Sequence, residues 1–282
     1  MFGSYASIAD IKGVLGITAT TDDTVIRKIA EAASRSIDRY CKRTFVVSSE
    51  TRYFDGAVRL WLPDLLLINA SGLKIDSDGD GTFENTFATT DYILRGGGLE
   101  DSLNVLPYTR IEISHDSDYS SFATGIRRGV QIAGVWGYGD GISTTPYVTD
   151  TTITEDLTAG ESDISVTAVT NLSAGNLILI GTEQYYIYSV SSLVLTVEPS
   201  VNGTTQATHS NGATIYIYQY PSDIRQACID LSVAMYQNRS KQGLQSERLG
   251  DYSYVIAGTS VGKSMVNQLL DNSIAGYKRL RF

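Results

Sequence analysis

The segment Gly258-Thr-Ser260-Val-Gly262 has the spacing Gly-x-Ser-x-Gly, which in hydrolases exposes a nucleophilic serine on a sharp turn between a strand and a helix. In those enzymes the acidic residue and the histidine follow the serine along the chain. Here both histidines, His115 and His209, precede Ser260, so that order cannot be built. We therefore expect no catalytic residue and interpret the segment as a turn before a helix. A serine hydrolase remains the second alternative function.

The same segment continues into Gly262-Lys263-Ser264, which is similar to the end of a phosphate-binding loop. That loop needs four residues between its glycines, because the backbone must wrap around a phosphate. Only three residues separate Gly258 from Gly262, so we expect no nucleotide site. Two histidines far apart in the sequence also give no support to a histidine-based metal site.

An acidic segment, Asp76-Ser-Asp78-Gly-Asp80-Gly-Thr-Phe-Glu84, alternates carboxylates with small residues. Calcium loops use this pattern to direct oxygen ligands inward, but the twelfth position is Phe87 instead of a bidentate Glu. Two interpretations stay open: an acidic hairpin turn between residues 73–75 and 82–84, and a calcium site. Calcium is the one cofactor considered, and its candidate ligands are Asp76, Asp78, Asp80 and Glu84.

The composition limits the classes of function. The formal net charge of -9 gives the chain as a whole no basic footprint for nucleic acid. Cys41 and Cys228 fall in predicted helices and form no Cys-x-x-Cys pair, so we expect neither a disulfide framework nor a zinc site. The first residues lack the basic and apolar regions of a secretion signal. The longest apolar run, residues 60–68, is too short to cross a membrane and is interrupted by Pro63 and Asp64.

Helical periodicity occurs near both ends of the chain. Ser7-Ile-Ala-Asp10 is typical of a capping box and predicts a short helix to about Leu15. Residues 20–23 predict the start of a longer helix that ends near residues 42–43, and helices are again predicted after Pro221 and at 263–275. The predicted buried positions are Ile26, Ile29, Ala33, Ile37 and Tyr40 in the long helix, and Ile224, Ala227, Cys228, Leu231, Ala234 and Met235 in the helix after Pro221.

The middle of the chain predicts strands. Up to about Gly139 the candidates are residues 44–47, 58–62, 73–75, 92–94, 110–113 and 130–136. No Lys or Arg occurs between Arg128 and Arg225, and residues 151–218 are rich in Thr, Ser, Ile, Val and Tyr. This shift in composition predicts a small β-domain at 148–218, inserted into a host domain formed by residues 1–147 and 219–282. Its predicted strands are residues 164–169, 177–180, 184–190, 193–197 and 213–217.

Residues spread along the host domain resemble a known family. They are Asp22-Asp23-x-x-Ile26 through Ile37-Asp38-x-Tyr40-Cys41-x-Arg43-x-Phe45, then residues 129–138, then Pro221-x-Asp223-Ile224-x-x-Ala227, and last residues 236–239 and 247–253. On these positions the chain resembles the head-tail connector (adaptor) proteins of tailed bacteriophages, over about residues 4–147 and 219–282. The inserted segment, through residues 181–186, 195–197, 201–204 and 207–212, is similar to a small β-domain common in phage tail and neck proteins. It departs from that domain at Pro199-Ser200, where Arg-Gly is usual.

The resemblance implies an α+β fold, with a helical connector core and antiparallel β-strands plus the inserted all-β domain. It also implies a structural virion protein without enzymatic activity, which forms a homo-oligomeric, twelve-fold adaptor ring between the portal protein and a neck or tail-terminator protein. Genome DNA then passes through the lumen without sequence-specific binding, no membrane is involved, and assembly takes place in the host cytoplasm. The residues implied in portal docking are Tyr277, Lys278, Arg279, Leu280, Arg281 and Phe282. Those implied in the ring interface are Gly250, Asp251, Tyr252 and Ser253.

The main alternative is a calcium-dependent, β-rich phage fibre or binding protein. It rests on the Asp76 loop and on the inserted β-domain. Imaging or native mass separates the two hypotheses, because the connector predicts a ring and the fibre a monomer or a slender trimer. A serine-reactive probe tests the hydrolase.

Overall fold

The computed structural model of the chain describes residues 3–96, 102–103, 105–239, 246–249, 252–255 and 265–279. These residues form four α-helices and fifteen β-strands, and the strands assemble into three sheets. The predicted combination of helices with antiparallel sheets, an α+β fold, is confirmed. By contacts between Cα atoms the chain divides into two compact units.

The first unit contains residues 43–147 and 200–205. Its seven-stranded sheet has the order β1-β7-β2-β6-β4-β5, and β3 also pairs with β2. A buried apolar cluster that includes Leu62, Ile111 and Trp136 covers one face of the sheet. The strands are β1 (Ser48–Phe54), β2 (Arg59–Ile75), β3 (Asn85–Thr86), β4 (Tyr92–Gly96), β5 (Ser102–Leu103), β6 (Tyr108–Ile113) and β7 (Val130–Trp136).

The second unit contains residues 2–42, 148–199 and 206–282. Its six-stranded sheet has the order β8-β13-β10-β11-β12-β9. The strands are β8 (Tyr147–Thr152), β9 (Asp163–Ser165), β10 (Leu177–Ile180), β11 (Glu183–Ser191), β12 (Val194–Glu198) and β13 (Thr214–Tyr218). The helices are α1 (Ile8–Leu15), α2 (Asp23–Cys41), α3 (Ser222–Gln237) and α4 (Met265–Ile274), and a two-stranded hairpin is formed by β14 (Ser246–Leu249) and β15 (Tyr252–Val255).

The predicted insert, residues 148–218, corresponds closely to the six-stranded sheet. Its boundaries fall at the start of β8 and just before α3. The sheet belongs to the same compact unit as the helices, and the Ile8 N–H donates to the Ala174 carbonyl oxygen at 3.0 Å. That residues 148–218 fold as a separate inserted domain stays a prediction.

The long helix α2 packs through one narrow face. Its buried residues are Ile26, Ala30, Ala33, Ser34, Ile37 and Cys41. Of the five residues predicted to be buried in this helix, Ile26, Ala33 and Ile37 are buried. Ile29 and Tyr40 are only half-buried, so part of the predicted buried face was wrong. In α3 the predicted Ala234 and Met235 are likewise half-buried.

One strand prediction in the first unit was wrong. Residues 44–47, predicted as a strand, are irregular although Phe45 and Val46 are fully buried. The regular strand, β1, begins at Ser48 and pairs with β7 along its whole length. The apolar run 44–47 is thus buried by side-chain packing, such as that of Phe45 on Tyr138 at 5.2 Å between ring centroids.

The predicted capping box at the start of α1 is confirmed. The Ser7 side chain accepts a hydrogen bond from the Asp10 N–H at 3.2 Å, and the Asp10 carboxylate accepts one from the Ser7 N–H at 3.1 Å. The same carboxylate accepts a hydrogen bond from Arg225 of α3 at 2.6 Å. Burial acts to raise the pKa of Asp10, but the hydrogen bonds from Arg225 and Ser7 outweigh it and hold the pKa below its usual value.

We predict that Asp10→Asn destabilises the protein by about 1 kcal/mol at neutral pH, mostly through the weakened cap, because Arg225 is largely exposed. A carboxyl whose pKa is lowered by folding adds stability above its unfolded pKa and loses it as the pH falls through the folded value. The difference between parent and variant should therefore begin to shrink near pH 4 and disappear as the pH falls through the lower pKa of the folded state. Chemical unfolding at several pH values measures this, with Asp163→Asn on the edge strand β9 as control. An equal difference at pH 7 and pH 3 would contradict the assignment.

Candidate functional site

The C-terminal segment is held at the end of α2. Helix α4 buries Leu270 and Ile274, and it packs against α2 and α3. The Tyr40 hydroxyl of α2 donates a hydrogen bond to the Asp271 carboxylate of α4. Burial and this neighbouring carboxylate raise the pKa of Tyr40 to about 12, so the hydroxyl keeps its proton and remains a donor at neutral pH.

Two residues after α4 complete this attachment. The Arg279 N–H donates to the Cys41 carbonyl oxygen at 2.8 Å, and the Lys278 ammonium lies 4.2 Å from the centroid of the Tyr40 ring. Cys41 is the last residue of α2, where carbonyl groups lack partners within the helix and the helix dipole favours positive charge. The start of the basic C-terminal segment is therefore anchored to the protein's own helix.

Three of the six predicted portal-docking residues can be placed. Lys278 is exposed, whereas Tyr277 and Arg279 are half-buried. Leu280, Arg281 and Phe282 lie outside the described residues. Docking of the segment onto a portal stays a prediction.

Two of the four predicted ring-interface residues belong to the hairpin of β14 and β15. Tyr252 and Ser253 begin β15, and their backbone pairs with Leu249 and Arg248 respectively. Gly250 and Asp251, between the two strands in sequence, lie outside the described residues. Their role in a ring interface also stays a prediction.

The acidic segment brings its four predicted residues together. Ligand oxygens of Asp76, Asp78, Asp80 and Glu84 all lie within 4.8 Å of one another. The buried Asp76 carboxylate accepts hydrogen bonds from the N–H groups of Gly79 at 2.6 Å and Gly81 at 2.8 Å. Burial acts to raise the pKa of Asp76, but these backbone hydrogen bonds hold it below its usual value.

The same segment is also a hairpin turn. Lys74 pairs with Thr86 and Ile75 with Asn85, so the returning strand, β3, begins after Glu84 and not at the predicted Thr82. Gly79 and Gly81 have φ values of 84° and 92°, which residues with a side chain rarely adopt. The geometry is compatible with both interpretations, and the calcium site stays a prediction.

A buried polar cluster lies at the start of β11. The Glu183 Oε2 accepts hydrogen bonds from the Tyr185 hydroxyl at 2.7 Å and from the Ala207 N–H at 3.0 Å, and it lies 3.0 Å from the His209 Nε2. Glu183 is fully buried. The residues that carry the resemblance to a small phage β-domain therefore join β11 to the segment before β13. Glu183, close before the aromatic and apolar run of residues 185–188, was the available sequence signal for this structural role.

The hydrolase motif gains no support among the described residues. Ser260 lies outside them. The His115 side chain is exposed, and the His209 side chain is buried beside Glu183. In the part of the chain that the structure describes, no helix has both the length and the apolar character needed to cross a bilayer.

The calcium prediction is tested by thermal unfolding with and without millimolar calcium. A bound ion raises the melting temperature, because it binds the folded loop and not the unfolded chain. Asp78→Ala should abolish the rise while leaving the melting temperature in chelator nearly unchanged, since the Asp78 side chain is exposed. An unchanged melting temperature of the parent in calcium would leave the hairpin turn as the sole interpretation.

Comparison with known proteins gives one family. Residues 5–66 match the model of the family described as phage gp6-like head-tail connector protein. The matched stretch contains α1, α2, β1 and the first half of β2. A search of curated proteins found no match. The family match supports a structural connector role in a phage, which is consistent with the expected lack of enzymatic activity. Residues 5–66 are thus similar to the phage gp6-like head-tail connector family, which confirms the predicted resemblance to head-tail connector proteins.

Proposed function

We propose that this chain is a subunit of an adaptor ring that lies between the portal and the neck or tail of a phage virion. The ring extends the DNA channel and offers a platform to the next neck or tail protein. The observation that carries the proposal is the family match over residues 5–66, which includes α2, the helix on which α1, α3 and α4 pack.

General physical arguments support a ring with a passive channel. Identical subunits joined by a head-to-tail interface close into a ring when the rotation between them permits it. An acidic subunit, with a net charge of -9, repels DNA phosphates when it is repeated around a channel. DNA then passes through the lumen without sequence-specific binding.

The C-terminal segment is proposed as the portal-docking element. Residues 221–282 contain eight Lys and Arg against five Asp and Glu, whereas the whole chain is acidic. Basic residues alternate with Tyr277, Leu280 and Phe282, a combination that suits an acidic groove with apolar pockets. Anchoring of Arg279 on the end of α2 gives residues 280–282 a defined starting point.

The hairpin of β14 and β15 is proposed to contribute to the contact between neighbouring subunits, through residues 250–253. The hairpin follows α3 in the chain, and it contains residues of the segment for which the resemblance to connector proteins implies a role in the ring interface. The ring is proposed to be assembled in the host cytoplasm and to remain at the head-tail interface of the virion.

Two measurements on the purified protein, alone and mixed with its portal, test this function. They are imaging of the particles and the native mass of the intact assembly. The expected result is a ring of about twelve subunits that stacks on the portal. A monomer that never binds the portal would contradict the proposal, and a slender calcium-dependent trimer would favour the fibre alternative. Labelling of Ser260 by a serine-reactive probe would instead support the hydrolase.

We predict that deletion of residues 280–282 abolishes co-sedimentation with portal rings and leaves the melting temperature within about 1 °C of the parent's, because the anchored Lys278 and Arg279 are retained. Deletion of 277–282 should also remove the bond to Cys41 and therefore lower the melting temperature by a few degrees. The matched control is Lys28→Ala, which removes an exposed cation from α2. Portal binding by the 280–282 deletion at the parent's affinity would refute the docking role.

A further inference from the structure

Strand β1 ends the seven-stranded sheet and has a free edge. It pairs with β7 on one side, and no strand follows it in the strand order. With seven residues it is the longest of the described strands that end a sheet, since β3 and β5 have two residues each. The end strands of the six-stranded sheet are instead joined to each other: Ile153 pairs with Val166, and the Thr167 N–H donates to the Thr152 carbonyl oxygen at 3.0 Å.

The direction of the backbone groups of β1 follows from the neighbouring strands. The Asp76 N–H donates to the Gly129 carbonyl oxygen at 2.9 Å, so the odd-numbered residues of this segment and of β7 direct their backbone groups toward β2. The even-numbered residues of β7 therefore bond to β1, and the unbroken register pairs them with the even-numbered residues of β1. Because the direction alternates along a strand, the N–H and C=O groups of Ser49, Thr51 and Tyr53 point to the free edge.

A loop of the same unit covers one end of this edge. Residues 200–205 belong to the first unit, and a Cβ atom on Gly203 would lie 2.1 Å from the Ser49 carbonyl oxygen. Thr51 and Tyr53 are exposed, and within the described residues their backbone groups have no hydrogen-bond partner. The open part of the edge, from Thr51 to Tyr53, therefore offers two N–H donors and two carbonyl acceptors.

The sequence of β1 does little to keep another strand away. Edge strands that stay single are commonly interrupted by proline or a bulge, or carry charge that repels a partner. No proline occurs in β1, and its register with β7 is continuous. Its two charged residues, Glu50 and Arg52, form an ion pair at 2.5 Å and so add no net charge. An edge with these properties can pair with a further strand.

The hairpin of β14 and β15 has the complementary property. Its two strands have four residues each and, in the part of the chain that the structure describes, pair only with each other. A two-stranded hairpin by itself is marginally stable in water, since half of its backbone groups face outward. The outer side of a four-residue strand offers the N–H and C=O groups of two residues. That number equals the number of groups on the open edge of β1.

Composition favours β15 over β14 as the strand that adds to β1. The sequence of β15, Tyr252-Ser-Tyr-Val255, is rich in the aromatic and β-branched residues that sheets prefer. β14 contains the charged residues Glu247 and Arg248. Thr51 and Tyr53 of β1 belong to the same classes as the residues of β15, and aromatic and β-branched side chains form favourable pairs across strands.

We infer that the open edge of β1 is the docking site for β15 of a second copy of this chain, which adds to the seven-stranded sheet as a further strand. A second copy is required because β1 and β15 are not paired within one chain. The edge and the added strand are different surfaces of identical molecules, so the contact is heterologous, the kind that closes rings. This inference rests on the proposed adaptor ring and names the surface that the hairpin contacts on the neighbouring subunit.

Removal of one backbone donor tests the pairing. Thr51→Pro deletes an N–H that faces the open edge and leaves the bonds to β7 in place, so the variant should stay folded. Its assembly should fall at least roughly tenfold, because the edge loses a donor and the proline ring occupies the space of the incoming strand. The matched control is Thr51→Val, which keeps the N–H and a β-branched side chain and should assemble like the parent. Native mass measures assembly, and thermal unfolding measures the fold.

The outcomes separate this contact from the adaptor function. Parent-like assembly of folded Thr51→Pro would overturn the inference and leave the ring intact. If that variant assembled like the parent but no longer bound the portal or the neck protein, the edge would belong to that partner, which also overturns the inference.

Cysteine cross-linking gives an answer even where the proline variant fails to fold. Thr51→Cys is mixed in turn with single cysteine variants at each of residues 252–255 and oxidised mildly. At least one mixture should form a disulfide-linked heterodimer, because opposite residues of paired strands have Cβ atoms about 4.5–5.5 Å apart. Ser246→Cys on β14 is the matched control and should link at least roughly tenfold less, since β14 lies one strand further from β1. The native Cys41 and Cys228 are buried and should not react. Absence of a heterodimer at all four positions would overturn the contact, whatever the outcome of imaging with the portal.

Discussion

Small side chains between α2 and α3 determine how the helical part of the protein is built. Ala30, Ala33 and Ser34 of α2 are buried, as are Ala227 and Cys228 of α3. The Ser34 Oγ lies 3.4 Å from the Cys228 Sγ, which is also 3.8 Å from the Ala30 carbonyl oxygen. The distance between packed helices depends on the side chains at the contact, so these residues permit a close approach. A larger residue at Ser34 or Cys228 would force the helices apart.

Other contacts depend on this helix pair. The Ser34 Oγ accepts a hydrogen bond from the Tyr5 N–H at 3.0 Å, which fixes the segment before α1. The C-terminal end of α2 holds Arg279, and Tyr40 holds Asp271 of α4. Described segments near the beginning and the end of the chain are therefore both held by α2. Burial also raises the pKa of the Cys228 thiol, so this cysteine is a small packing residue and not a reactive one.

Sequence patterns predicted the elements that have strong local signals. The capping box at Ser7 and the strand from Val130 to Trp136 appear at the predicted positions. The edge strand β1 was missed because Ser48–Phe54 is largely polar and exposed, and its pairing with β7 is a long-range property. The length of β2 was missed because Pro63 is a strand breaker in most contexts. Register shifts between Trp61 and Leu65 and between Ile68 and Leu73 accommodate the interruptions.

The candidate sites, like the strands, could be predicted from the sequence only where their residues are close together in the chain. The four acids of the loop could be predicted to lie together, because they are close in sequence and separated by glycines. The cluster of Arg59, Arg95 and Arg110 around Glu112 could not, since its members come from β2, β4 and β6 and meet only through strand register. The Glu183 cluster joins residues more than twenty positions apart, and Ala207 and His209 reach it from a segment outside the named strands. Local spacing reveals a loop site, whereas a site on a sheet face requires the pairing of the strands.

Charge distribution decides whether copies of so acidic a chain can assemble. Each copy has a net charge of -9, so distant parts of neighbouring copies repel one another. At physiological ionic strength the Debye length is about 8 Å. Salt therefore screens the repulsion between distant charges much more than it weakens the attraction between opposite charges in direct contact. Local complementarity at a contact can therefore outweigh the repulsion that the net charge of each copy produces.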